Sequence, residues 1–142
     1  MSETSGATVW EQMIRFQRLA LVAMDETFRE RFGRTLDDYD VLHQLRSANE
    51  PLRMSDLANR LLVANSSCNR IVGRLSDAGL VSRMTGEHDR REVLVDLTTE
   101  GRRLCRRMGA AHSRDIERVF TDRITGDDLT QLHRIFEQLA DE

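Results

Sequence analysis

Asn65–Leu75 reads NSSCNRIVGRL. Cys68, Ile71, Val72 and Leu75 recur at spacings of three and four, the period of one helix face, and are the core candidates of this stretch. Ser66, Ser67, Asn69, Arg70, Gly73 and Arg74 fall on the opposite side. That outer face has no carboxylate. Its two guanidinium forks, one amide and two hydroxyls are groups that bond phosphate oxygens or base edges in a major groove. Gly73 costs roughly 1 kcal/mol against Ala inside a helix, which fits either a close approach of backbone to DNA or simple slack.

The flanking segments supply the frame. Ser55–Leu62 (SDLANRLL) is predicted as a short helix with Leu57, Ala58, Leu61 and Leu62 turned inward. Val63 and Ala64 make the turn, and Asn65 is the expected cap of the next helix. Two short helices joined tightly, the second polar and basic outside, form a helix-turn-helix pattern. Ala78-Gly79-Leu80 ends the second helix at a glycine. The period then changes. Leu80–Met84 and Glu92–Leu97 alternate as strands around the polar tip TGEHDRR, a hairpin that reads as a wing.

Outside this region the chain is helical. From Thr8 to about Arg31, Trp10, Met13, Ile14, Gln17, Leu21, Met24 and Phe28 mark one stripe. Residues 1–7 are small and polar and are expected to be disordered. Gly33 ends the first helix, Leu36–Ser47 forms another, and Pro51, the single proline, marks the break after it. Thr98 or Thr99 caps a long helix to about Phe120, with Leu104, Met108, Ala111, Ile116, Val119 and Phe120 along it. Thr125–Asp128 is a capping box opening a last helix with Leu129, Leu132, Ile135, Phe136 and Leu139 apolar. The fold class is therefore mainly α (α+β), a winged helix-turn-helix with N- and C-terminal dimerisation helices. Its expected segments are 1–35 for N-terminal dimerisation, 36–98 for the winged DNA-binding domain and 99–142 for C-terminal dimerisation. The terminal stripes are too apolar for a core that other helices already cover, so a second copy of the chain is the economical partner.

The formal charge of −3 is unevenly divided: Arg46–Arg107 carries net +4 and the remainder −7. A basic middle with acidic ends suits a polyanionic partner at the middle. All 21 basic residues other than histidine are Arg, a pattern that fits the codon bias of a GC-rich genome. No apolar run approaches membrane-spanning length, and MSETSGATVWEQ lacks the regions of a signal peptide, so no membrane partner and a cytoplasmic location are expected. Cys68 and Cys105 read as buried free thiols rather than a disulfide or zinc pair. His112 and Asp115 stand three apart on a helix and read as solvated surface rather than a metal pair.

In this order, helix, helix, helix-turn-helix, wing, long helix and terminal helix, the chain resembles the MarR family of bacterial transcription regulators over nearly its whole length. The resemblance rests on LRMSDLANRLLVANSSCNRIVGRLSDAGLVSRMTGEHDRREVLVDLTTEGRRL, with a D-x-R motif at Asp89 and Arg91 and an L-T-x-x-G junction at Leu97, Thr98 and Gly101. It implies a homodimer that binds a palindromic operator in double-stranded DNA, commonly as a repressor released by a small-molecule effector or by oxidation. It places Asn65, Ser66, Ser67, Asn69, Arg70 and Arg74 at the recognition-helix contacts. Arg91 becomes the wing arginine of the adjacent minor groove, Asp89 its orienting partner and Arg90 a backbone contact. Ala64 and Asn65 depart from the family's usual capping Ser or Thr followed by Pro. Two recognition helices related by a dyad would lie about 34 Å apart, in successive major grooves.

Effectors of such proteins commonly bind between the dimerising helices and the winged domain, where Trp10, Phe16, Tyr39 and His43 offer aromatic walls with polar tips. No nucleophile elbow, phosphate-cradling glycine loop, H-E-x-x-H or paired cysteine motif is present, so neither an enzyme, a cofactor nor a metal centre is indicated. A winged-helix protein-interaction module without specific DNA binding is the alternative function. It would more naturally expose aromatic or aliphatic anchors than an Arg-rich face.

Overall fold

The computed structural model describes residues 4–141. Packing divides the chain into two compact units, Met1–Gly109 and Ala110–Glu142.

The first unit opens with α1 (Gly6–Phe32), whose first turn is capped by Ser5 through a 3.1 Å bond from Thr8 N–H. The helix thus starts inside the stretch expected to be disordered, whose first three residues lie outside the described ones. Gly33 ends α1 with φ +65°, the left-handed conformation that a glycine adopts without a Cβ penalty. Thr35 then caps α2 (Leu36–Ala48) in a reciprocal box with Asp38. A two-residue strand, β1 (Leu52–Arg53), precedes α3 (Met54–Leu61), α4 (Asn65–Asp77), β2 (Val81–Thr85), β3 (Val93–Leu97) and α5 (Thr99–Val119). The sheet is antiparallel in the order β1-β3-β2, with Leu52 opposite Val95 and Arg83 also opposite Val95 on its other side.

The core of this unit is the apolar set that helical spacing marks. Leu57 and Ala58 of α3 and Cys68, Ile71, Val72 and Leu75 of α4 are buried against Val41, Leu42 and Leu45 of α2 and Val95 and Leu97 of β3. Phe28 from α1 and Met108 from α5 share this core, so helices expected to serve dimerisation also complete the winged domain. The junction before α5 is sterically fixed. Thr98 Oγ1 donates to Gly79 O at 2.7 Å and accepts from Gly101 N at 3.0 Å, and a Cβ on Gly101 would stand 2.0 Å from Leu80 O.

Two helix ends differ from the sequence reading. Ala64, not Asn65, is the N-cap of α4, and it supplies no side-chain bond. Leu62 takes φ +58° as the C-cap of α3 and is 92% exposed rather than turned inward. The tight turn demands a left-handed residue there, and that conformation swings the side chain out of the α3 stripe.

The second unit holds the end of α5, a 3-10 turn at Thr121–Arg123 and α6 (Gly126–Ala140). Thr125 and Asp128 form the expected capping box, which holds the Asp128 carboxyl below its usual range through the Thr125 N–H. Asp115 is buried and pairs with Arg118 at 3.0 Å, so it is not the solvated surface its spacing indicated. Leu129, Ile135, Phe136 and Leu139 of α6 are exposed. No helix among the described residues is long and apolar enough to cross a membrane.

Candidate nucleic-acid interface

α4 presents its polar side to solvent because its apolar side is consumed by the core. Cys68, Val72 and Leu75 are fully buried, while Asn65, Ser66, Asn69 and Arg70 are exposed and Ser67 is half-buried. The first intrahelical bond of this end is donated by Cys68 N–H to Ala64 O at 3.0 Å. The N–H groups of Asn65, Ser66 and Ser67 therefore point out of the helix without a capping side chain. That end of the helix carries partial positive charge and open donors, the combination that accepts a phosphate.

The wing brings its own arginine to the same place. Asp89 Oδ1 accepts from the Arg91 N–H at 2.9 Å and lies 3.9 Å from Arg91 Nε. Arg91 is almost wholly solvent-exposed. Glu92 returns a backbone bond to close the tip, Gly86 N–H donating to Glu92 O at 2.9 Å, and its carboxylate pairs with Arg53 of β1. A concavity of about 430 Å³ is lined by Asn65 and Asn69 from α4, Asp89 and Arg91 from the wing, and Arg53 from β1. The folded chain thus gathers at one rim polar residues of three elements, β1, α4 and the wing, that are separated by up to 38 positions in sequence. Ser66, Ser67 and Arg70 continue along α4, and Arg90 is exposed beside Arg91.

Arg74 is placed differently from its neighbours. Its guanidinium grips Asp38, with Nη2 at 2.6 Å and Nε at 3.2 Å from Oδ1, and Thr35 Oγ1 at 3.5 Å. Asp38 is buried while Arg74 stays partly exposed, so the fork is anchored to the protein by a carboxylate at one side. A second carboxylate extends this polar chain to α1: Asp25 accepts from Leu36 N–H at 2.8 Å and from Arg29 Nε at 2.6 Å. The Leu36 N–H is the main cause that holds the Asp25 carboxyl below its usual range.

Gly73 also has a different neighbour from the one expected. A Cβ there would lie 2.9 Å from Nη2 of Arg83. The close approach is an arginine from β2, whose exposed strand position carries no sequence pattern that would link it to α4.

Of the four aromatic effector candidates, Tyr39 and His43 are in contact and Trp10 lines a groove on α1. Tyr39 is buried, with its ring 5.1 Å from Phe28 and stacked on His43 at 5.6 Å. Burial raises the Tyr39 hydroxyl above its usual range. Trp10 lines a groove of about 420 Å³ on α1 with Ile14, Arg15, Arg18 and Leu19, which includes none of Phe16, Tyr39 and His43. Both cysteines are free and buried, and burial pushes both thiols up, away from the reactive thiolate.

An exposed recognition helix whose open end shares a rim with a hairpin arginine defines a winged helix-turn-helix. A sequence profile described as the MarR family matches residues 32–92. The regulator PecS of Dickeya dadantii is 33% identical over 105 residues, a match covering 70% of this chain and 63% of PecS. The chain thus spans less than two thirds of that relative. AbsC, a MarR family regulator of Streptomyces coelicolor, superposes with TM-score 0.87 at 27% identity, covering 99% of this chain and 97% of AbsC. Sco3205 of the same organism, solved in complex with DNA, gives 0.86 at 26% identity over 99% of this chain and 91% of its own. The chain belongs to the MarR family.

Proposed function

We propose that this protein is an effector-responsive repressor that binds a palindromic operator as a homodimer. The observation that carries the reading is the shared rim of α4 and the wing, where Asn69 and an Asp89-held Arg91 flank an open helix end. Asn65, Ser66, Ser67, Asn69 and Arg70 enter the major groove, and Arg91, with Arg90 on the backbone, reaches the adjacent minor groove. A narrow minor groove concentrates negative potential, and an always-charged planar guanidinium fits it. Arg70, whose fork has no internal partner among the described residues, takes over the guanine-reading role that Arg74 cannot fill while it holds Asp38. Sco3205, likewise a winged-helix protein of this family, has been captured on DNA.

The second copy is supported by apolar faces on α1 and on α6. Trp10, Phe16, Leu19 and Val22 of α1, and Phe136 and Leu139 of α6, are exposed. The effector site centres on the Trp10 groove, where an indole wall and the guanidiniums of Arg15 and Arg18 suit a small aromatic anion.

The test is a binding titration of the purified chain on duplex DNA from upstream of its own gene, against random duplex, at two salt concentrations. Tight, steeply salt-dependent binding to the upstream fragment alone is expected. Weak, equal binding to both fragments would sink the specific-repressor reading.

A further inference from the structure

Position 73 follows Ser66, Asn69 and Arg70 along one side of α4. Being glycine, it projects nothing, and the guanidinium end of Arg83 rests where its side chain would begin, Nη2 lying 2.9 Å from the position of a Cβ. Arg83 is exposed. Arg53 is paired with Glu92, Arg74 with Asp38 and Arg91 with Asp89, whereas Arg83, like Arg70 of α4, has no carboxylate partner among the described residues. No ion pair or hydrogen bond engages Arg83 among the described residues. A glycine in mid-helix weakens the helix, and here the space it leaves is filled by an uncompensated charge rather than by an apolar packing partner.

We propose that Arg83 is a further DNA contact, a phosphate-binding arginine delivered from β2 across the gap at Gly73. The proposal rests on the DNA-binding reading above. Base edges are read by the N-terminal residues of a recognition helix. Position 73 lies in the second half of α4, level with the sugar-phosphate strand that borders the groove. A guanidinium there adds charge and register without reading sequence. The glycine and the arginine form one device: the missing side chain sets where the arginine lies.

The experiment uses the full chain with the upstream and random duplexes, and compares wild type, Arg83→Ala, Gly73→Ala and the double variant over a salt series. Arg83→Ala is expected to weaken both duplexes about tenfold. The ratio between them should stay unchanged, and the slope of log K against log salt should fall by about 0.9 for each arginine lost. Gly73→Ala should weaken binding with the same signature although its melting temperature does not fall, because Ala favours the helix. Added to Arg83→Ala, it should cost nothing more. Unchanged affinity and slope in Arg83→Ala, with wild type binding normally, would overturn this assignment alone. So would a Gly73→Ala loss that persists undiminished without Arg83, since the helix backbone itself would then meet the DNA. Failure of the wild type to bind either duplex would overturn the DNA reading and this contact together.

Discussion

At the residue scale, the proposed interface separates arginines that are held from arginines that are free. Arg91 projects into solvent while Asp89 receives its N–H and faces its Nε, so its loss should be felt at the DNA and not in the fold. Arg91→Ala is expected to lower operator affinity more than tenfold, about 1.4 kcal/mol. Its urea midpoint should remain that of the wild type, and wild-type affinity would remove the wing assignment. Asn69→Ala should instead lower the preference for operator over random duplex by about 1–3 kcal/mol, measured by competition. A different logic governs Asp40. It is half-buried, no cation pairs with it among the described residues, and burial, with a smaller push from Asp37, raises its carboxyl from 3.8 to about 6. A raised folded pKa means that the folded chain holds the proton more tightly than the unfolded chain does. Stability is therefore undiminished below the unfolded value, falls as pH rises toward about 6, and stays lowered above it. Asp40→Asn should be about 1–2 kcal/mol more stable than wild type near pH 7, discounted for partial solvation, with the difference vanishing near pH 4. Urea titrations at the two pH values decide it, and an equal difference at both would show that the carboxyl is not the cause.

At the element scale, the orientation of α4 is set by two kinds of contact. Its buried stripe was legible in the sequence, since Cys68, Val72 and Leu75 repeat at helical spacing. Its polar anchor was not: Arg74 and Asp38 stand 36 positions apart with no local pattern to join them. β1 escaped notice because two residues after a proline show no period, and Leu62 because a left-handed leucine leaves no mark in composition. The glycine at the L-T-x-x-G junction was legible as a motif, and its reason is the Leu80 carbonyl that a Cβ would strike. The Arg74–Asp38 pair ties α4 to the N-terminus of α2, and Asp25 ties that same terminus to α1. Removing Arg74 leaves a buried carboxylate with Arg34 at 3.6 Å as its remaining ion-pair partner. Arg74→Ala should therefore cost about 1–3 kcal/mol of stability, with the partial exposure of Arg74 placing it below the range for a fully buried pair. Arg74→Lys should recover only part, because an ammonium cannot reproduce the two-nitrogen grip. A double-mutant cycle with Asp38→Asn checks it; strict additivity would mean the pair does not couple the elements.

At the scale of the whole molecule, the question is what covers α6. Its large apolar residues Leu129, Leu132, Ile135, Phe136 and Leu139 follow one another at three- and four-residue steps, yet Leu129, Ile135, Phe136 and Leu139 are 40–64% exposed. A helix capped at Thr125 by a complete box is built to persist, and a persistent apolar stripe of this length needs a partner surface. A closed twofold arrangement satisfies it with the fewest assumptions, because a self-complementary face needs no second gene product. Dimerisation would also turn two modest half-site contacts into one tight site, since the second recognition helix binds at the effective concentration set by the first. Deleting Gly126–Glu142 should therefore yield a monomer by sedimentation and a loss of operator affinity larger than any single contact variant produces. Because a deletion can expose apolar surface and cause aggregation, Leu139→Glu provides the second arm. It leaves the capping box and the helix intact while placing a charge where the stripe is 64% exposed. Monomeric Leu139→Glu with wild-type helical content and weakened operator binding would place the twofold contact on α6; a dimer that survives both changes would move that contact elsewhere.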